Sequence, residues 1–102
     1  MRPKRRYIAF EVLGAKLSRS EVTRAILNSL RGSDFVHVDI VRLILYNAGS
    51  GRGLLRCGHK QVGQVKAVMA KLKQVDGKKA SLNVLGVSGT IRVAKRKFLP
   101  AL

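Results

Sequence analysis

The sequence predicts a two-layer α/β (α+β) sandwich with the element order βαββαβ and a four-stranded antiparallel sheet. Three observations favour this fold class. Runs of Val, Ile, Leu and aromatic residues alternate with two segments whose apolar residues recur at helical spacing. Gly-rich segments separate several of these runs. In addition, 102 residues with 46% hydrophobic content can bury a core without disulfides or metal ions. We therefore expect residues 1–102 to form one domain.

The first half of this pattern is a strand followed by a helix. Residues 5–13 form a short apolar and aromatic run with the high strand propensity of a central strand. A helix is predicted over about 18–31, because Ser18 and Glu21 have the spacing of a capping box and apolar residues recur at helical spacing behind them. Gly32 is expected to end this helix.

The second half predicts a hairpin, a helix and a final strand. Val, Ile and Leu are dense over 38–46, the sequence breaks at 47–53, and a second apolar run covers 54–57. Apolar residues at spacings of three and four then predict a helix over about 60–74, and 80–87 suits a last buried strand. Both helices can cover one sheet face in the split-βαβ, ferredoxin-like arrangement, which leaves the opposite face or an edge for partners.

The net charge limits the classes of partner. The 21 Lys and Arg residues outnumber the 5 Asp and Glu residues, which gives a formal charge of +16. Charge of this size repels itself in a compact chain, whereas a phosphate backbone neutralises it and releases counterions. We find no run of 18 apolar residues and no apolar signal segment. A nucleic acid is therefore the expected partner, a membrane is not, and the expected location is the cytoplasm.

The residue types that usually carry catalysis or metal ions are sparse. The five acids are scattered, which argues against acid/base or two-metal chemistry. The Gly-rich segment 49–53 lies between two predicted strands, whereas phosphate-cradling loops precede a helix, so we expect a hairpin turn that carries Arg52. Cys57 and His59 have only His37 as a further ligand of their types, too few for structural zinc. We expect no catalytic and no metal-binding residues, and a buried Cys57.

Basic residues are spread over four groups, which together favour contact with a nucleic acid. Because the chain has only 5% aromatic residues, recognition of the backbone of a folded RNA is favoured over stacking of splayed bases. The flanks 1–6 and 89–102 are basic and are expected to order only on binding. The four groups are Arg2, Lys4, Arg5 and Arg6; Arg52, Arg56 and Lys60; Lys66, Lys71 and Lys73; and Arg92, Lys95, Arg96 and Lys97.

Four segments resemble one known family. These are residues 5–10, 51–57, 85–92 and 97–99, and the most specific is the string Leu-Gly-Val-Ser-Gly-Thr-Ile that begins at Leu85. Over nearly its whole length the sequence is similar to archaeal ribonuclease P protein component two, the small RNA-binding subunit of ribonuclease P, a family with a eukaryotic counterpart.

This resemblance implies an RNA-recognition-like α/β sandwich and an accessory role in an RNA-based endoribonuclease. The implied partners are the ribonuclease P RNA, the barrel-shaped protein component three and, within the complex, precursor tRNA, whose 5′ end is matured. Cleavage would belong to the RNA and its magnesium ions, with no cofactor bound by this chain and no activity in the isolated chain.

Together, the basic groups and the resemblance give a set of expected RNA-binding residues. Ser88 and Thr90 belong to it because they follow the last strand and can offer hydroxyls and amides to a phosphate. The alternative for these two is a strand-end turn whose hydroxyls are satisfied within the protein. The full set is Arg5, Arg6, Arg52, Arg56, Lys60, Ser88, Thr90, Arg92, Lys95, Arg96 and Lys97.

Two other functions compete with this hypothesis. A small basic ribosomal protein, or another protein that binds structured RNA, would have the same charge and a similar fold, and would copurify with its own RNA. A stand-alone nuclease of ferredoxin-like fold would need clustered acids or histidines, and would act without an RNA subunit. The sequence leaves open whether apolar strand edges also mediate a homodimer.

Overall fold

A computed structural model of the chain describes residues 5–32, 41–75 and 77–99. The predicted strand start at 38–40, His37, Asp76 and the ends of both flanks lie outside these residues. The elements are β1 (Arg5–Gly14), α1 (Arg19–Arg31), β2 (Arg42–Asn47), β3 (Arg52–Gly58), a short 3-10 turn (His59–Gln61), α2 (Val62–Lys71), β4 (Gln74–Val75), β5 (Lys78–Ser88) and α3 (Ile91–Phe98).

The first helix begins and ends where the sequence predicts. The Ser18 hydroxyl accepts a hydrogen bond from the backbone N–H of Glu21 (3.2 Å), and the Glu21 carboxylate accepts one from the backbone N–H of Ser18 (3.0 Å). This is a complete capping box, which satisfies two backbone donors that the helix cannot satisfy itself. At the other end, the N–H of Gly32 donates to the carbonyl of Asn28 (3.0 Å).

The Gly-rich segment is a hairpin turn, as predicted. Gly51 has a φ of +74°, and its N–H donates to the carbonyl of Asn47 (2.8 Å). The Asn47 side chain also accepts a hydrogen bond from the N–H of Gly49 (2.9 Å). Beyond the turn, β2 and β3 pair antiparallel. The turn therefore joins two paired strands and does not lead into a helix.

The sheet has five strands in the order β2-β3-β1-β5-β4, so the prediction of four strands is wrong. The second helix ends at Lys71, earlier than predicted, because the chain becomes extended at Leu72 and buries it. The extended chain then forms the two-residue strand β4, which pairs with the start of β5. Gly77 lies in the turn between these two strands and has a φ of +80°. Two residues are too few for a strand pattern to be visible in the sequence.

Successive side chains of a strand point to opposite faces of the sheet, and the buried side chains therefore form two separate clusters. On one face, Ile8 and Phe10 pack with residues of α1 and α2 in the larger core, which confirms an α/β fold with both predicted helices on the same side of the sheet. On the other face, Ala9 and Leu54 are fully buried beneath α3. No helix is predicted there from the sequence, so the observed helix, which covers part of the second face, corrects that prediction.

Candidate functional site

The helix α3 forms over the segment that we expected to remain without structure until binding. Its first turn is capped by Thr90, whose hydroxyl accepts a hydrogen bond from the N–H of Val93 (3.2 Å). Its apolar residues recur at helical spacing, so that fully buried Ala94 and half-buried Phe98 lie on one side. An eight-residue helix is marginal on its own in water, and its stability therefore depends on contact with the sheet.

The basic residues of α3 lie on its exposed sides. Arg92 and Arg96 are four residues apart and hence share one side, and their helical phase puts them opposite Ala94. Lys95 and Lys97 are also exposed, on the flanks of the helix. Four positive charges lie within one and a half turns of α3, and the helix contains no Asp or Glu to neutralise them.

A second group of candidates lies at one end of the sheet, on the face that carries α3. Register places Tyr7 of β1 between Arg56 of β3 and Ser88 of β5, and Arg56 is in turn opposite Arg42 of the edge strand β2. Arg5 shares the side of Tyr7 by alternation along β1. Lys60, exposed in the 3-10 turn, follows the end of β3 by two residues.

Arg42 is absent from the set predicted from sequence. Arg42 is exposed and is the first residue of β2. The sequence of β2 does not indicate which of its residues lie opposite which residues of β3. Only the pairing of β2 with β3 places it opposite Arg56. No signal in the sequence alone could have found it, since Arg42 belongs to none of the charge clusters.

Arg52 does not join this group. It lies four residues before Arg56 on β3, opposite Glu11, and its Nε stands 3.9 Å from a Glu11 carboxylate oxygen. The same carboxylate accepts a hydrogen bond from Asn83 (3.2 Å). Four strand residues span about 13 Å, so Arg52 is at the far end of the face. Arg6 points to the side of the sheet opposite Tyr7, with a guanidinium N–H bonded to the carbonyl of Arg5 (3.0 Å).

Ser88 and Thr90 have structural roles in the turn that leads into α3. Ser88 is buried, and its hydroxyl accepts a long hydrogen bond from the N–H of Thr90 (3.4 Å). Thr90 is exposed and caps the helix. These contacts match the alternative in which the hydroxyls are satisfied within the protein, and an RNA contact by either residue stays a prediction.

The groups that could carry other chemistry are few. Cys57 is buried in the larger core, and burial raises the pKa of its thiol to about 11, so it holds almost no thiolate at neutral pH. Among the residues that the structure describes, no three side chains of His, Cys, Asp or Glu stand close enough to hold a metal ion. Within 5–32, 41–75 and 77–99, no helix is long and apolar enough to cross a membrane.

Comparison with known proteins gives consistent matches. The sequence profile of the Rpp14/Pop5 family matches residues 6–99. The protein named Ribonuclease P protein component 2 from Methanosarcina mazei is 37% identical, with 97% of this chain and 87% of that protein covered. Its namesake from Pyrococcus furiosus is 36% identical, with 97% and 86% covered. A chain in the cryo-EM structure of yeast ribonuclease MRP has the same fold, with a TM-score of 0.67 over 88% of this chain and 77% of that chain at 11% identity.

Proposed function

Since the chain belongs to the Rpp14/Pop5 family and is a ribonuclease P protein subunit, we propose that it binds and activates the catalytic RNA of this enzyme through the exposed side of α3. It is an accessory subunit of an RNA-based enzyme and does not cleave RNA by itself. In this proposal the protein neutralises phosphates of the folded RNA, so that its effect on the maturation of precursor-tRNA 5′ ends is electrostatic and conformational.

The observation that carries this proposal is the charge of α3. Like charges four residues apart destabilise a helix, by about 0.2–0.5 kcal/mol for a pair such as Arg92 and Arg96. The two acids that the structure describes are paired elsewhere, Glu11 with Arg52 and Glu21 with Lys78. Neither acid within the described ranges neutralises this helix, which favours an external polyanion as its counter-charge.

The position of α3 also favours a phosphate backbone over unstacked bases as the ligand. Base-stacking sheets in RNA-recognition folds present aromatic side chains on an open face. Here α3 covers the middle of that face, and the aromatic residue there, Tyr7, packs half-buried against the cluster under the helix. Arg5, Arg42, Arg56 and Lys60 extend the proposed surface beyond the helix, whereas Arg52, paired with Glu11, is peripheral to it.

Further features of the complex are proposed on the family relationship. The protein partner is component three, the complex acts on precursor tRNA, magnesium ions are held by the RNA and not by this chain, and the site of action is the cytoplasm. The order of the four longer strands, β2-β3-β1-β5, supports a ferredoxin-like, RNA-recognition-like assignment of one RNA-binding domain. Sedimentation of the chain with and without component three would distinguish this partner from a homodimer.

Reconstitution tests the proposed function directly. Precursor-tRNA cleavage is measured with purified ribonuclease P RNA and the other protein components, with this chain included or left out. We expect a lower rate, or a higher magnesium requirement, when it is left out. An unchanged rate at every magnesium concentration would contradict the proposal. Equal affinity for ribosomal RNA of similar length would instead favour a general protein for structured RNA.

A further inference from the structure

The ring of Phe98 lies directly on the backbone of Gly86. Gly86 is in β5, opposite Ala9 of β1, on the sheet face that α3 covers. A Cβ atom added at Gly86 would stand 2.2 Å from the ring carbon Cζ of Phe98 and 2.3 Å from Cε1. Real Cβ atoms do not approach so closely, so any other residue at this position must displace the ring. A side chain at this position is opposed by the ring and not by backbone conformation, since the φ of Gly86 is not in the left-handed region.

Phe98 is the last residue of α3, and the contact therefore fixes one end of the helix. The neighbouring Leu99 is buried in the same cluster, and fully buried Ala94 holds the middle of the helix. Because α3 has only eight residues, it cannot keep its shape without these contacts. The direction in which Arg92 and Arg96 point is thus set by how the opposite side of the helix sits on the sheet.

We propose that Gly86 and Phe98 are positioning residues for RNA binding: their contact holds α3 at the height and rotation at which Arg92 and Arg96 reach neighbouring phosphates. This inference rests on the proposed function of α3. Neither residue carries charge, and both act through the two arginines. A change at Gly86 should therefore weaken RNA binding while the charge of the protein stays the same.

The test is a double-mutant cycle between Gly86→Ala and the pair Arg92→Gln/Arg96→Gln. Affinity for transcribed ribonuclease P RNA is measured at several salt concentrations, because each phosphate contact contributes about 0.7–0.9 to the slope of log affinity against log salt. Gly63→Ala is the matched control, since a Cβ at Gly63 meets nothing within 4 Å. Thermal unfolding of each variant is measured in parallel.

We expect Gly86→Ala and the arginine pair each to lower the slope by about 1.4–1.8, and their combination to lower it no further. Over a fourfold rise in salt, the unaltered chain then loses about 7- to 12-fold more affinity than either variant. Gly63→Ala should bind as the unaltered chain does. If Gly86→Ala does not fold, Phe98→Ala replaces it in the cycle, because it removes the ring without a steric clash.

Two results distinguish failure of this inference from failure of the proposed function. If the arginine pair lowers the slope equally with and without Gly86→Ala, or if Gly86→Ala leaves the slope unchanged, the positioning role is refuted while α3 remains an RNA contact. If the arginine pair has no effect in the otherwise unaltered chain, the proposed function of α3 itself is wrong.

Discussion

Neutralising three charges of α3 should reduce the salt dependence of RNA binding, and the number of exposed basic residues that are changed gives the size of the reduction. Arg92, Lys95 and Arg96 are all exposed, and the charge of each can meet one phosphate. At about 0.7–0.9 per contact, the triple change to Gln should lower the slope of log affinity against log salt by about 2.1–2.7. Between 50 and 200 mM salt the unaltered chain should therefore lose roughly 20- to 40-fold more affinity than the variant.

A second triple variant separates the position of the charges from their number. Lys66, Lys71 and Lys73 are exposed on and just after α2, which packs against the opposite face of the sheet. Their change to Gln removes the same three charges from the formal +16. Fluorescence titration of ribonuclease P RNA at four or more salt concentrations gives both slopes. We expect the α2 variant to change the slope by less than one contact.

Folding should survive both changes. Gln has nearly the helix propensity of Lys and Arg, and exposed substitutions usually change stability by no more than about 0.5 kcal/mol each. Equal slopes for the two triple variants would contradict a specific RNA contact by α3, because general charge and not a defined side of that helix would then control binding. An unchanged slope in the α3 variant, with an unchanged melting temperature, would do the same.

Three further predictions concern folding and the core. Ser18→Ala should lower the free energy of unfolding by about 1 kcal/mol in urea titrations through loss of the capping box, with RNA affinity unchanged; no loss of stability would contradict the assigned cap. The hydrogen bond from Ser18 and the ion pair with Lys78 lower the pKa of Glu21, so stability should fall as pH drops through that lowered pKa, and less so in Glu21→Gln. Because burial raises the pKa of Cys57 to about 11, a thiol reagent should label the native chain slowly at pH 8, and Cys57→Ser should retain RNA-dependent cleavage at a lower melting temperature; loss of cleavage in a folded Cys57→Ser chain would contradict the non-catalytic assignment.

Much of the fold followed from local patterns. The capping residues Ser18 and Glu21 located α1 to within a residue, because a capping box is formed by groups three positions apart in the chain. Dense apolar runs likewise located β1, β3 and most of β5. The failures were the short strand β4 and the helix α3. Two residues are too few for β4 to show a strand pattern, although its partners Lys78 and Lys79 are close in sequence, whereas α3 depends on packing against residues far along the chain, such as Ala9.

The class of partner and the family can both be predicted without knowledge of the fold. A charge of +16 indicates a polyanionic partner whatever the fold. Each segment that resembles the family is an unbroken stretch of sequence and can be recognised without the structure. Which charges lie close together follows from the folded arrangement of strands and helices and cannot be predicted without it. Arg42 lies opposite Arg56 on the neighbouring strand, and Arg52 is paired with Glu11. The basic segment after the last strand is a helix that packs on the sheet. Sheet register and helix docking are set by packing between residues far apart in sequence, and composition and spacing do not contain that information.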